Sequence, residues 1–193
     1  MAWVASQANP AMASPAMLAE RFRCNPATRG AIVGPHGAGK STLLEHFKPL
    51  LYAPNVSLTL RRGERRPFQT VYSALAGSSG GRVLILDGFE QLSTAAAICV
   101  CWMVRRRAMG LLVTCHRRSL FVPTVIELKP TAQLVQQLVV ERLAADSHLC
   151  EADRRRWTDL ELLQQWLAQE RGSVREVFMR LYDCYEESRL QAR

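Results

Sequence analysis

An apolar run, Ala31–Val33, leads directly into Gly34-Pro35-His36-Gly37-Ala38-Gly39-Lys40-Ser41-Thr42, and a helical pattern opens at Lys40. No other segment restricts the fold as tightly. The spacing GxxxxGK[ST] between a strand and a helix describes a loop that closes around phosphate. Its glycines let the backbone approach an anion and turn amide groups inward. The helix that follows adds the positive end of its dipole. In such a loop Lys40 reaches the β- and γ-phosphates and the Ser41 hydroxyl takes a Mg²⁺ position. Gly34 through Thr42 are therefore the candidate nucleotide contacts, with His36 read as a tolerated surface residue among them.

Around this loop, short apolar runs alternate with longer helical stretches, the pattern of a parallel sheet covered by helices. The runs are Ala31–Val33, Val56–Leu60, Arg82–Leu86, Leu111–Thr114 and Val125–Leu128. Helical periodicity falls on Lys40–Leu51, Phe68–Ala76 and Thr94–Ala108, with Gly110 as a stop just past the third. Gly77-Ser78-Ser79-Gly80-Gly81 reads as a flexible turn into the third run. After Pro130 the chain turns helical. Thr131 caps a helix running to about Ala145, and Thr158-x-x-Glu161 and Ser173-x-x-Glu176 both fit the capping box. In the last helix Val174, Val177, Phe178, Leu181, Tyr182 and Tyr185 recur at helical spacing, a stripe for burial against the chain's own α/β domain. Residues 1–29, with Pro10, Pro15 and Pro26, keep no sustained period and read as an arm. The expected layout is that arm, an α/β domain with a five-stranded parallel sheet at 30–130, and an all-helical extension at 131–193.

The segment Gly34–Thr42 resembles the Walker A motif of P-loop nucleoside triphosphatases. Arg82-Val83-Leu84-Ile85-Leu86-Asp87 resembles the matching Walker B, an apolar strand ending in the aspartate that holds Mg²⁺, and Asp87 lies 47 residues past Lys40. The likeness runs over roughly residues 30–128. GTPase signatures are missing: Asp87-Gly88-Phe89-Glu90 lacks the glycine of DxxG, and neither NKxD nor the LSGGQ of ABC ATPases occurs. The Walker B strand is third in sequence and two strands follow it. That order is similar to the additional-strand division, in which a further strand lies between the P-loop and Walker B strands, and within it to AAA+ and STAND ATPases. The resemblance implies a three-layer α/β sandwich with a helical lid, and slow hydrolysis of Mg-ATP as a nucleotide switch. It places Lys40 and Asp87 in catalytic roles, Ser41 and Asp87 at the Mg²⁺, and Thr114 beside the γ-phosphate or the attacking water. Arg171-Gly172-Ser173-Val174-Arg175 resembles the sensor-2 turn, whose arginine, here Arg175, reaches the phosphates; the other reading of Arg175 is a solvated helix residue.

One departure bears on turnover. Many ATPases of the division carry a glutamate directly after the Walker B aspartate to orient water, and here that place is Gly88. Glu90, from the following turn, is the candidate base, with Gln91 and Glu127 behind it; without one of them the domain is chiefly a switch. Two other functions stay open. One is a small-molecule kinase passing the γ-phosphate to an acceptor, for which a carboxylate would be wanted where the second strand ends in Leu60-Arg61-Arg62. The other is a nucleotide-gated adaptor with little turnover.

The chain has 193 residues, 48% hydrophobic and 22% charged, enough for a sizeable core without staples. Its net charge is +8, and all but three of the 25 cationic residues are arginine. A coding bias toward arginine accounts for that choice of cation, so the positions matter more than the total. From Glu151 onward eight arginines face nine acids, which leaves the surplus in the first 150 residues. Ligands of open α/β sheets bind at the carboxyl ends of the strands. Arg61–Arg66 and Arg117-Arg118 fall on that edge, and Arg105–Arg107 on the opposite one. Arg117 and Arg118 suit a triphosphate, of this chain or of an adjacent subunit in a homo-oligomer, or plain solvent. Arg61–Arg66 suits nucleic acid, an acidic partner or the phosphates, Arg105–Arg107 suits a nucleic-acid or acidic partner, and no aromatics interleave with these clusters to stack bases. The six cysteines lack CxxC or zinc spacing and read as core thiols of a reducing compartment. The longest apolar run, Ala95–Val104, is half the ~20 residues of a bilayer span. Without a basic n-region before Pro10, the expectation is a cytoplasmic protein.

Overall fold

A computed structural model describes residues 15–25, 27–51, 55–77, 83–144 and 150–191. Residues 1–14 of the expected arm, and residues 78–82 of the glycine-serine turn and the start of the third run, lie outside them.

The elements follow the periodicity closely: α1 (Pro15–Cys24), β1 (Arg29–Val33), α2 (Lys40–Phe47), β2 (Asn55–Thr59), α3 (Pro67–Ala76), β3 (Val83–Asp87), α4 (Thr94–Arg106), β4 (Gly110–Cys115), β5 (Thr124–Glu127), α5 (Ala132–Ala144), α6 (Glu151–Trp157), α7 (Leu160–Gln169) and α8 (Val174–Gln191). Short 3₁₀ turns stand at Lys48–Leu51 and Phe89–Gln91. The five strands form one parallel sheet in the order β2-β3-β4-β1-β5. β4 thus separates β1, which leads into the glycine-rich loop, from β3, which ends in Asp87, the arrangement expected from the resemblance to the additional-strand division. β4 is buried at every residue and β3 at all but Asp87, which is why both read as unbroken apolar runs. Edge strand β2 is half exposed and carries Ser57 and Thr59.

Two compact units emerge. The first contains the described residues up to Leu128, except Pro35–Ala38; the second contains Pro35–Ala38 and the residues from Lys129 onward. In the first, Ala31, Val33, Leu84, Leu86, Leu111 and Val113 pack with Val71 and Leu75 of α3 and Val100 and Val104 of α4. Each such valine or leucine contributes about 1.5–3 kcal/mol by leaving water. Part of the arm joins this unit. Pro15 starts α1, Leu18 and Phe22 are buried, and Phe22 meets Phe47 edge-on with ring centroids 6.0 Å apart.

The second unit has a core of its own, and it corrects the expected burial of the last helix. Val174, Val177 and Leu181 of α8 pack on Val135, Val139 and Leu143 of α5, Trp157 of α6, and Leu163 and Leu167 of α7. The stripe serves the helical unit itself. One cap also moves. Asp159, not Thr158, caps α7 by accepting from the Leu162 amide at 2.8 Å, because a carboxylate one residue nearer outcompetes the hydroxyl. Ser173 does accept from the Glu176 amide, at 3.4 Å. The cysteines depart from the expected core: Cys115 is buried, but Cys24, Cys99 and Cys150 are exposed, and Cys150 caps α6 through Sγ. No helix among the described residues is long and apolar enough to cross a membrane.

Candidate nucleotide site

The parallel register sets the chemistry at one edge of the sheet. Ile32 pairs with Thr114, Leu86 with Val113 and Thr59 with Asp87. Asp87 ends β3 and Thr114 is the penultimate residue of β4, so the two lie at the same level on neighbouring strands, with β4 next to the strand that feeds the loop. The Gly34 amide donates to the Cys115 carbonyl at 3.2 Å, tying the loop's start to β4.

Lys40 opens α2 behind Gly39, a left-handed residue at φ +83° that no β-carbon disturbs. Its side chain is only 8% exposed. The ammonium donates to the Gly34 carbonyl at 2.8 Å and lies 3.2 Å from Nδ1 of His116. Burial lowers the pKa of Lys40, with Glu90 and then Asp87 opposing the shift. One residue on, Ser41 Oγ donates to Asp87 Oδ2 at 2.8 Å. Asp87 Oδ1 accepts from the Thr114 hydroxyl at 2.5 Å, and that hydroxyl accepts in turn from the Gly88 amide at 2.9 Å. Both sides of Thr114 are thus spent on holding Asp87 and the turn after it.

That turn accounts for the missing glutamate. Gly88 sits at φ +85°, and a β-carbon there would lie 2.6 Å from the Leu60 carbonyl oxygen. The chain has to reverse here to return Glu90 on the Phe89–Gln91 turn, and only glycine passes. Glu90 Oε1 then meets Nε2 of His116 at 2.8 Å. Of the alternatives to Glu90, Glu127 is paired with Arg118 at 2.7 Å. His116 escaped the sequence reading. The signal was its place just past the fourth strand, ahead of Arg117 and Arg118. Beside the pair opens a cavity of about 420 Å³, with Phe89, Leu92, Ala97 and Phe121 among its walls and Arg117 and Arg118 also lining it.

The loop's tip belongs to the second unit. Gly37, at φ +69°, has room for no side chain: a β-carbon would lie 2.8 Å from Ser173 Oγ and 2.9 Å from Arg175 Cβ. Gly172, at φ +81°, faces Pro35. The Arg171–Arg175 turn therefore abuts Pro35 and Gly37, and Arg175 itself is exposed. Pro35, His36, Ala38 and Thr42 complete the predicted loop, His36 and Thr42 on its exposed surface.

The residues present fit a nucleotide with Mg²⁺. Left-handed Gly37 and Gly39 shape the cradle, and a hydroxyl and a carboxylate lie side by side at Ser41 and Asp87. Mg²⁺ at phosphate sites asks for one or two such ligands rather than a cage. No group of three His, Cys, Asp or Glu suited to a metal occurs among the described residues. The other arginine clusters are partly occupied. Arg107 donates to the Leu75 carbonyl and Arg106 stacks on Trp102, whereas Arg61, Arg62, Arg65 and Arg66 are exposed around Glu64, which accepts from the Thr70 hydroxyl at 2.7 Å.

No protein-family model matches the chain, and no curated protein matches it in sequence. Solved structures do match. The Thermotoga maritima RuvB Holliday junction branch migration motor superposes with a TM-score of 0.51 at 16% identity, over 86% of this chain and 66% of that one. A variant of the same RuvB gives 0.53 at 14%, over 86% and 67%. Drosophila ORC bound to DNA gives 0.53 at 14%, over 75% and 47%. The chain has the fold of the AAA+ P-loop ATPases. It spans about two thirds of the RuvB chains it resembles.

Proposed function

We propose that this AAA+-fold chain binds Mg-ATP and hydrolyses it slowly, as a nucleotide switch. The observation that carries the reading is the meeting of Lys40, Ser41, Asp87 and Glu90 at the carboxyl edge of the sheet, with Ser41 Oγ on Asp87 at 2.8 Å. Lys40 binds β- and γ-phosphate oxygens, while Ser41 and Asp87 hold the metal ion. Bound Mg²⁺ would supply charge neutralisation across those oxygens. Thr114 acts through Asp87, keeping its carboxylate aimed. Glu90 is the base: it orients a water whose oxygen bonds to the γ-phosphorus and accepts that water's proton, while the bond to the bridging oxygen breaks and leaves its electrons on ADP. Turnover is slow because Glu90 arrives from a separate turn and is shared with His116. Arg175, next to Gly37, supplies further positive charge to the phosphates.

The similar structures include a Holliday junction branch migration motor and a complex bound to DNA, and Arg61, Arg62, Arg65 and Arg66 lie exposed beyond β2 on the nucleotide edge. Nucleic acid or an acidic partner is the proposed ligand of that loop, and the Arg105–Arg107 patch on the opposite edge is a separate proposed contact of the same kind. Assembly into a homo-oligomer would bring Arg117 near a neighbour's phosphates. ATP turnover against protein concentration, with and without DNA or RNA, tests these points together. Fluorescent ATP-analogue binding that is equal for wild type and Lys40→Ala overturns the site. Phosphate release at background throughout leaves the adaptor reading in its place.

A further inference from the structure

We propose that His116 is a positioning residue that couples phosphate engagement at Lys40 to the placement of Glu90, an inference that deepens the nucleotide-site reading and rests on it. His116 stands one residue beyond β4, where its neighbour Cys115 is anchored by the Gly34 amide. Its ring bridges two groups that the sequence separates by 50 residues: Nδ1 lies 3.2 Å from the Lys40 ammonium and Nε2 lies 2.8 Å from Glu90 Oε1.

The chemistry of the partners fixes the ring's state. An ammonium has donors and no acceptor, so Nδ1 must accept. The ring proton then resides on Nε2 and points at the carboxylate. A single neutral tautomer satisfies both contacts, and it holds one oxygen of Glu90 while the other can face water. Phosphate oxygens carry charge, and they compete for the ammonium better than a neutral ring nitrogen does. As phosphate draws Lys40 away, Nδ1 loses its donor and the constraint on Glu90 changes with it. Such coupling is reciprocal for binding: whatever moves Glu90 also alters how Lys40 is held. A histidine that merely filled space here would need no donor on one side and no acceptor on the other.

The test uses the full chain labelled with ¹⁵N at histidine. Without nucleotide, the His116 ring is expected as the Nε2–H tautomer. Adding a non-hydrolysable Mg-ATP analogue shifts the Nδ1 resonance, and Lys40→Ala produces a comparable shift without analogue. The Nδ1–H tautomer, or no shift with the analogue demonstrably bound, overturns the proposal. Should the analogue fail to bind at all, the nucleotide reading falls, while the tautomer and the Lys40→Ala shift still decide whether the bridge exists. Kinetics give a second readout. His116→Ala should lower kcat roughly 10- to 100-fold, the usual cost of losing a group that orients a functional one, with analogue affinity within about twofold. His116→Gln, whose amide offers one donor and one acceptor, should recover most of the loss. Equal falls in affinity and kcat, or no recovery by Gln, reduce His116 to a structural residue and sink the idea.

Discussion

The loop Gly34–Gly39 and the strand ends at Asp87–Glu90 and Thr114–His116 both serve Lys40, but by different means. The loop works with backbone. It offers the Gly34 carbonyl to the ammonium, and its glycines at φ +69° and +83° give the turn its shape. The strand ends work with side chains, a chain of contacts from Ser41 through Asp87 to Thr114, and from Lys40 through His116 to Glu90. A backbone cradle tolerates any side chain that fits outside it. A side-chain network is most sensitive at its buried members, here Lys40 and Thr114, because removing one strands the groups it satisfied.

The largest expected effect joins the two sides. Lys40→Ala removes the ammonium that both address, and should weaken ATP-analogue binding at least about 100-fold, the loss of two charge-assisted contacts of about 1.5–3 kcal/mol each. Titration with a fluorescent analogue measures it. A measurable loss that stays under tenfold would mean that the loop's amides carry most of the affinity without the lysine, whereas no loss overturns the site.

Gly88 tests whether the strand ends also depend on backbone. Gly88 and Gly63 share φ +85°, yet a β-carbon at Gly63 meets nothing within 4 Å, whereas at Gly88 it meets the Leu60 oxygen at 2.6 Å. Gly63→Ala should cost about 1 kcal/mol of strain, and Gly88→Ala about 3 kcal/mol or more from strain and collision together. Thermal melts would separate them by roughly 4–8 °C. Gly88→Glu, which places a glutamate directly after Asp87, should raise turnover not at all. Equal melts for the two alanine variants break this account of the turn.

Cys115 is the apolar member among the strand ends. Burial, then the nearby Glu90, push its thiol from the ordinary cysteine range up to about 12, with Lys40 opposing. A thiol whose folded pKa is raised favours the folded state in its protonated form. Its contribution is complete below pH 9 and is lost as pH rises toward 12, at a slope of up to about 1.4 kcal/mol per pH unit. Lys40, shifted down, acts in the opposite sense at high pH, so the quantity to measure is the difference between wild type and Cys115→Ala. Denaturant titrations from pH 8 to 11 should show that difference shrinking. A constant gap would remove burial as the cause.

Legibility in the sequence divides along the same line. A backbone-built cradle is spelled locally, since Gly37, Gly39 and Lys40 must stand at fixed spacing, and an apolar run before them and a helical pattern after them complete the reading. The sheet was legible because β3 and β4, buried on both faces, are almost wholly apolar, with Thr114 the buried polar residue of β4. Asp87 was legible as the end of such a run. His116 and the function of Gly88 were not, because each is defined by a residue far away in the chain: Lys40 and Glu90 for one, the Leu60 carbonyl for the other. The stripe of α8 had a clear period, but periodicity names a buried face and not its partner, which turned out to be Trp157, Leu163 and the α5 residues.

The smallest effects separate ligand from support within the side-chain network. Ser41 is exposed, and its hydroxyl donates to Asp87. Ser41→Ala should leave stability within about 0.5 kcal/mol, as surface substitutions do, while analogue binding loses most of its dependence on Mg²⁺. Thr114 is 1% exposed, and its hydroxyl is used as donor and acceptor at once. Thr114→Val keeps the shape but strands the Gly88 amide and one Asp87 oxygen, at about 1–3 kcal/mol, and should leave the Mg²⁺ dependence in place. Chemical denaturation and analogue titrations with and without Mg²⁺, run on both variants, check the pair. The reverse pattern, with Ser41→Ala destabilising and Thr114→Val abolishing the metal dependence, would move Thr114 to the metal and leave Ser41 as the residue that holds Asp87.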